Sequence, residues 1–333
     1  MAVNTADSLP AMTAHGSAIG VDVGGTKVSV ATLRGGATGE PLVRPTDRSS
    51  GESLIAQIVE MVGEVAGGEP PDAVGIGIPS VVEFATGRVR SSVNVPLQDV
   101  PLRAVLSDRL GLPVFVDNDA TVAALAEAHD AHGHLDVRSL VMFTVGTGVG
   151  GGIVIDGRSY RGATGAAAEL GHTLIAIADT IPAATRFPQP GSLESLAAGH
   201  VLDALAAQAA RTHPESALGL RLAAHGAVAG PDAVSAAQAG DAVAVECLAT
   251  LGRRVGIGIA NAINTFDPEV VAIGGGVSSA GKLLLDPARA AALEYVLPGV
   301  GTATEIRIAR SGPQAGVRGA ALLARSELQH AAN

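Results

Sequence analysis

Short apolar runs, glycine turns and amphipathic stretches alternate along the chain. Ala18–Val23 reads as a strand, Gly24-Gly25 as a tight turn and Lys27–Thr32 as the return strand of a hairpin. Leu54, Ile55, Ile58, Val59 and Val62 share one face at helical spacing, which predicts an amphipathic helix over Leu54–Val65. Val74–Ile78 reads as a buried strand ending at Pro79. A further strand, Pro113–Val116, runs into Asp117-Asn118-Asp119, and Ala120–His129 reads as a helix. The second half opens the same way: strand Leu140–Val145, turn Gly146–Gly150 and return strand Gly151–Ile155. Helices are predicted over Ser195–Arg211 and Ala242–Asn264, the latter stopped by Asp267-Pro268. A buried strand, Val270–Ile273, enters Gly274-Gly275-Gly276; Glu305–Ala309 is a last strand and Ala315–Leu328 a closing helix. Pro182–Pro190 is irregular and reads as a loop, and residues 1–17 as a disordered leader. Strands alternating with helices place the chain in the α/β class. The likeness of VDVGGTKVSV to FTVGTGVGGGIVI points to an internal duplication.

Composition narrows the function. A length of 333 residues suggests two domains. A net charge of −10 with only 16% charged residues argues against a nucleic-acid partner or an anionic membrane surface. No apolar run approaches the ~20 residues of a membrane helix. The opening segment lacks the basic and apolar regions of a secretory signal, so a cytoplasmic location is expected. The single cysteine, Cys247, excludes an intrachain disulfide and any multi-cysteine metal site. Aromatics are 2% with no tryptophan, which removes platforms of stacked rings.

Three glycine clusters sit at strand ends: Gly24-Gly25-Thr26-Lys27, Gly146-Thr147-Gly148 and Gly274-Gly275-Gly276. Glycines there let backbone N–H groups approach a phosphate, and threonine hydroxyls add donors. Two familiar nucleotide motifs fail on context. Gly146-x-Gly148-x-x-Gly151 runs into a strand rather than a helix, and Gly276 to Lys282 is followed by Leu283 where a P-loop needs Ser or Thr. What remains is a phosphate cradle made by two hairpins.

The set Asp22-Val-Gly-Gly-Thr-Lys27, Asn118-Asp119-Ala120, Gly146-Thr-Gly-Val-Gly-Gly-Gly152, Glu169-Leu-Gly-His172 and Gly274-Gly-Gly276 resembles the ROK family of sugar kinases over roughly residues 18–325. The resemblance implies a duplicated actin-like (sugar kinase, ribonuclease H-like) fold with an ATP cleft between two lobes. The expected lobes are 18–119 with 310–333, and 120–309. It further implies a substrate pair of ATP and a sugar, Mg²⁺ as cofactor, and a homodimer or homotetramer. The family's repressors carry an N-terminal helix-turn-helix domain, for which 17 residues are too few.

By resemblance Asp119 is the catalytic base, deprotonating the hydroxyl that attacks the γ-phosphate. From its position alone Asp119 is equally a helix cap. The resemblance places Asn94, Asn118, Glu169, His172 and Glu194 on the sugar. It places Asp22, Gly24, Gly25, Thr26, Lys27, Thr144, Gly146, Thr147, Gly148 and Gly274 to Gly276 on ATP. Asp22 would hold Mg²⁺, directly or through water, or it merely initiates a turn. Lys27 serves phosphate or supports the hairpin.

Three departures stand out. Most family members follow the E-x-G-H unit with three cysteines that hold a structural zinc with its histidine. The equivalent stretch here, residues 183–192, has no cysteine, so no such zinc is expected. Pro79 is followed by Ser80 where the family commonly has Gly, and Glu83 stands where it tends to have Asp. These alter the sugar pocket and leave the phosphate machinery alone. They point to an acceptor other than plain glucose, such as an amino sugar or a cyclitol. The competing class is a non-catalytic sugar-binding regulator.

Overall fold

The computed structural model describes residues 16–92, 94–176 and 187–331. The leader predicted over residues 1–17 lies outside them as far as residue 15, and the predicted loop 182–190 as far as residue 186. Contacts divide the chain into two compact units. One takes the chain to Arg138, then Gly152–Ala167 and everything from Pro313; the other takes Ser139–Gly151 and Ala168–Gly312.

The first unit begins with strands β1 (Ser17–Val23), β2 (Lys27–Arg34), β3 (Ala37–Thr38) and β4 (Leu42–Pro45). Helix α1 (Gly51–Ala66), strand β5 (Ala73–Ile78), hairpin β6 (Ser80–Glu83) and β7 (Arg88–Ser92), helix α2 (Leu102–Leu110), strand β8 (Val114–Asn118) and helix α3 (Asp119–Glu127) follow. The sheet runs β3-β2-β1-β5-β8, with β4 beside β2. β1 and β2 are antiparallel, as the glycine turn between them requires, while β1, β5 and β8 are parallel. Every residue of β5 is buried, as expected of a central parallel strand covered on both faces. Helix α1 explains one cover. Ser50 caps it by accepting the Ser53 N–H, Gly67 ends it in the left-handed region, and Leu54, Ile55, Ile58, Met61 and Val62 form its buried stripe.

The second unit starts with β9 (Leu140–Val145) and the opening residues of β10 (Val149–Ile155), whose remainder, with β11 (Arg158–Ser159), falls to the first. It continues through α4 (Leu193–Ala197), α5 (Gly199–Thr212), α6 (Ala217–His225), α7 (Gly230–Gln238) and α8 (Ala242–Phe266). Strand β12 (Val270–Gly274), helix α9 (Lys282–Tyr295) and strand β13 (Glu305–Ile308) complete it. The second sheet runs β11-β10-β9-β12-β13, which repeats the order of the first element for element. The internal duplication read from the two glycine hairpins is thus present as topology.

The closing helix α10 (Ala315–Ala331) packs on β1, β5 and α3 of the first unit. It lies so near the sheet that only glycine fits beneath it. A Cβ on Gly75 would sit 1.8 Å from the Ala320 carbonyl oxygen, and one on Gly20 would sit 1.9 Å from that of Val317. Backbone cannot yield as a side-chain tip can. Gly75→Ala is therefore expected to destabilise the protein by about 3 kcal/mol through overpacking, read as a lowered denaturation midpoint.

Two readings of the sequence are corrected. The single helix predicted over Ser195–Arg211 is two, because Ala198 is extended (φ −72°, ψ 168°) between α4 and α5. The cap of α3 is Asn118 rather than Asp119: its side chain accepts the Ala120 and Thr121 N–H groups, while Asp119 is the first helical residue. Asp and Asn cap equally well, so the pair Asn118-Asp119 did not reveal which one serves.

Candidate active site

In the first unit the chemistry gathers at the carboxyl ends of the parallel strands, where open α/β sheets commonly bind ligands. The register aligns Asp22 on β1 with Gly77 on β5, and Gly77 with Asp117 on β8. Asp119 follows at once as α3 begins. Asp22 is half-buried, and its carboxyl is pushed up to about 6 by burial first and by the negative charge of Asp119 second, with Lys27 opposing. A residue that the sequence reading missed makes room for it. Gly316, in the first turn of α10, would carry a Cβ 2.4 Å from the Asp22 carboxyl carbon.

The Gly24–Lys27 turn is closed by the Gly24 N–H donating to the Lys27 carbonyl at 2.8 Å. Asn94 lies against it: a Cβ on Gly25 would meet the Asn94 Cβ at 3.3 Å. The Asn118 side chain is largely engaged. Its Oδ1 accepts from Ala120 at 2.9 Å and Thr121 at 3.2 Å, and its Nδ2 donates to the Ser80 carbonyl at 3.3 Å. Asp117, on the other side of Asn118, is 1% exposed and faces Arg161.

In the second unit, Thr144 at the end of β9 pairs with Gly274 at the end of β12, so the second and third glycine clusters are neighbours. Gly275 has φ +81°, and a Cβ there would sit 2.4 Å from the Val145 carbonyl oxygen, so this position is confined to glycine. Beside Gly146, Thr147 and Gly276 opens a cavity of about 590 Å³, walled also by His200, Asp203 and Gln238. That volume suits a nucleoside. The sequence reading found its glycine rim but not these walls, which come from α5 and α7, elements without a motif.

Glu169 and His172 do meet, with Oε2 and Nε2 3.9 Å apart across a single 3₁₀ turn, Leu170–His172. His172 Nδ1 is buried without a hydrogen-bond partner among the described residues, and the Phe187 ring stands edge-on at 5.5 Å. Glu194 on α4 turns toward the second glycine turn: its Oε2 accepts the Val149 N–H at 2.8 Å. A Cβ on Gly148 would lie 2.4 Å from that oxygen, so this glycine admits the carboxylate.

The residues present do not fit the family's structural zinc. The only cysteine lies buried on α8, and among the described residues no group of three or more His, Cys, Asp and Glu side chains is placed to hold a metal. Magnesium is a different case, because it usually takes one or two carboxylates and completes its shell with phosphate oxygens and water. Asp22, held up to about 6 beside a second carboxylate, suits it: a cation there relieves the repulsion that raises the carboxyl. No helix among the described residues is long and apolar enough to cross a membrane.

Comparison with known proteins agrees with this arrangement. The ROK family model matches residues 18–327. A glucokinase of Halalkalibacterium halodurans is 36% identical over 318 residues, covering 93% of this chain and 95% of its own length. A crystal structure of a ROK family glucokinase from Streptomyces griseus in complex with glucose and AMPPNP is 34% identical. It superposes with a TM-score of 0.78 over 93% of this chain and 100% of its own. A ROK family transcriptional regulator, a homologue of the E. coli MLC protein, is 26% identical with a TM-score of 0.81, over 96% of this chain and 80% of its own. The chain belongs to the ROK family, as a glucokinase-like member.

Proposed function

We propose that the protein transfers the γ-phosphoryl group of ATP to a hydroxyl of a hexose, the primary 6-hydroxyl where the acceptor is an aldohexose. One observation carries the reading: Asp119, at the start of α3, stands near enough to Asp22 at the end of β1 for its charge to help raise the Asp22 carboxyl, after burial. Catalysis of phosphoryl transfer is mostly positioning and charge neutralisation. Asp119 accepts the hydroxyl proton as the sugar oxygen bonds to the γ-phosphorus and the bond to the ADP oxygen breaks. Magnesium, when bound, neutralises charge on the phosphate oxygens, and Asp22 is the residue to hold it. Gly24 to Lys27, Thr144, Gly146 to Gly148 and Gly274 to Gly276 serve the nucleotide. Asn94, Asn118, Glu169, His172 and Glu194 serve the sugar. Asn118 has one Nδ2–H left beside the one it donates to the Ser80 carbonyl, and Glu194 offers Oε1 while Oε2 holds Val149.

The acceptor's identity has a pointer of its own. The Ser80 hydroxyl is buried without a hydrogen-bond partner among the described residues, on the residue whose carbonyl accepts the Asn118 Nδ2–H. Ser80 and Glu83, which stand where the family commonly has Gly and tends to have Asp, favour an amino sugar or a cyclitol as a second reading. ADP release with Mg-ATP should therefore be followed over glucose, mannose, fructose, N-acetyl hexosamines, amino hexoses and cyclitols. Turnover with a hexose is expected. Turnover with none of them, from a folded protein that binds a sugar, would instead make it a regulator. We further expect a cytoplasmic homodimer or homotetramer, for which size-exclusion chromatography with light scattering gives the mass.

A further inference from the structure

Beneath the Asn118-Asp119 corner lies a charged group that this chemistry does not use. Asp117, 1% exposed, accepts the Asn118 backbone N–H on Oδ1 at 2.9 Å and the Arg161 Nε–H on Oδ2 at 2.7 Å. Arg161 donates through Nη2 to Glu327 Oε1 on α10 at 3.0 Å. Its guanidinium also stacks 3.5 Å from the centroid of the Phe84 ring. One guanidinium thus joins β8, the segment after β11 and the closing helix.

A buried ion pair is weak grounds for stability, since an apolar pair of similar volume often serves as well. Its fork geometry instead fixes direction: the planar guanidinium reaches two carboxylates at set angles, which a lysine cannot do. The peptide that Asp117 grips is the one entering Asn118, whose side chain caps α3, whose first residue is Asp119. We infer that Arg161 is a positioning residue, which through Asp117 sets the aim of Asn118 and Asp119 on the acceptor, with Glu327 holding it from α10. The inference rests on the reading that Asn118 and Asp119 handle the acceptor. Arg161 also lines a cavity of about 550 Å³ with Glu83, Arg90 and Thr164, so a small cation has a way to its place.

The test compares Arg161→Ala, Arg161→Lys and Glu327→Gln with wild type, varying the sugar at saturating Mg-ATP and then the reverse. A misaim of about 1 Å costs up to about 10²-fold, so Arg161→Ala should lose roughly that in kcat/KM for the sugar. Its KM for ATP should stay within about twofold of wild type. Arg161→Lys should lose about tenfold, because an ammonium cannot bridge both carboxylates. Glu327→Gln should lose less. Millimolar guanidinium should restore part of the activity of Arg161→Ala, and sodium chloride at equal ionic strength should not. A folded Arg161→Ala with wild-type sugar kinetics, or with both substrates affected alike, overturns the inference. Should Arg161→Ala not fold, unchanged sugar kinetics in Arg161→Lys overturn it instead. Wild-type turnover that is lost in Asp119→Asn upholds the underlying reading independently, so the two failures are distinguishable.

Discussion

Asp119→Asn is expected to lower kcat for sugar phosphorylation about 10³-fold, the middle of the range for removing a general base. The fold should survive. Asp119 Oδ1 accepts the Ala120 N–H at 2.9 Å, which an asparagine oxygen can do as well, and the cap of α3 belongs to Asn118. Nucleotide affinity, measured by titration calorimetry with a non-hydrolysable ATP analogue, should change little. Asp117 cannot stand in, since its carboxylate is buried and already committed to Arg161 and the Asn118 N–H. The variant also removes the second carboxylate beside Asp22, so the Asp22 carboxyl should move down toward its ordinary range.

Asp22→Asn is expected to separate stability from activity. The Asp22 carboxyl rises from 3.8 to about 6 on folding, chiefly through burial. Between those values the folded state holds the extra proton, so this group's contribution to stability is fully present below about pH 4. It is lost as pH rises through about 6. Near pH 7 the half-buried carboxylate therefore costs about 2 kcal/mol once its partial exposure is allowed for. Asp22→Asn should remove that cost and raise the melting temperature by roughly 4 °C at pH 7, an advantage that disappears by pH 4. Phosphoryl transfer should meanwhile fall about 10²-fold or more, since the cation loses its carboxylate. In wild type a cation must displace the proton, so the Mg²⁺ concentration for half-maximal rate should rise as pH drops from 7 to 5. A melting temperature that falls in Asp22→Asn at pH 7 would contradict this account of the strand ends.

Much of the fold was legible because the duplicated unit has a strong signature. Apolar strands running into glycine turns gave β1, β2, β9, β10 and β12 nearly at their bounds, and period and caps gave α1 and α8. The hairpin of β6 and β7 was not read, because Val81 and Val82 stand side by side and β7 has only Val89 among polar residues, so a clean alternation is lacking. Helices α6 and α7 were not read either.

The site divides the same way. The three glycine clusters stood out because the backbone chemistry of such turns is local, whereas Asp22 and Asp119 were singled out by the family resemblance. Gly316, His200 and Asp203 were invisible, because they matter only through what a distant segment places beside them. Glu194 illustrates both halves: the resemblance implied a role on the sugar, yet its bond to the Val149 N–H belongs to tertiary structure.

The most direct measurement is phosphorus and proton NMR of the product formed from Mg-ATP and glucose. The expected result is ADP and a sugar phosphate in equal amounts, the phosphorus coupled to the two protons on the primary carbon, with no product from Asp119→Asn. ADP without any phosphorylated sugar, or a product that Asp119→Asn forms at the wild-type rate, would contradict the assignment of Asp119 as the base of a sugar kinase.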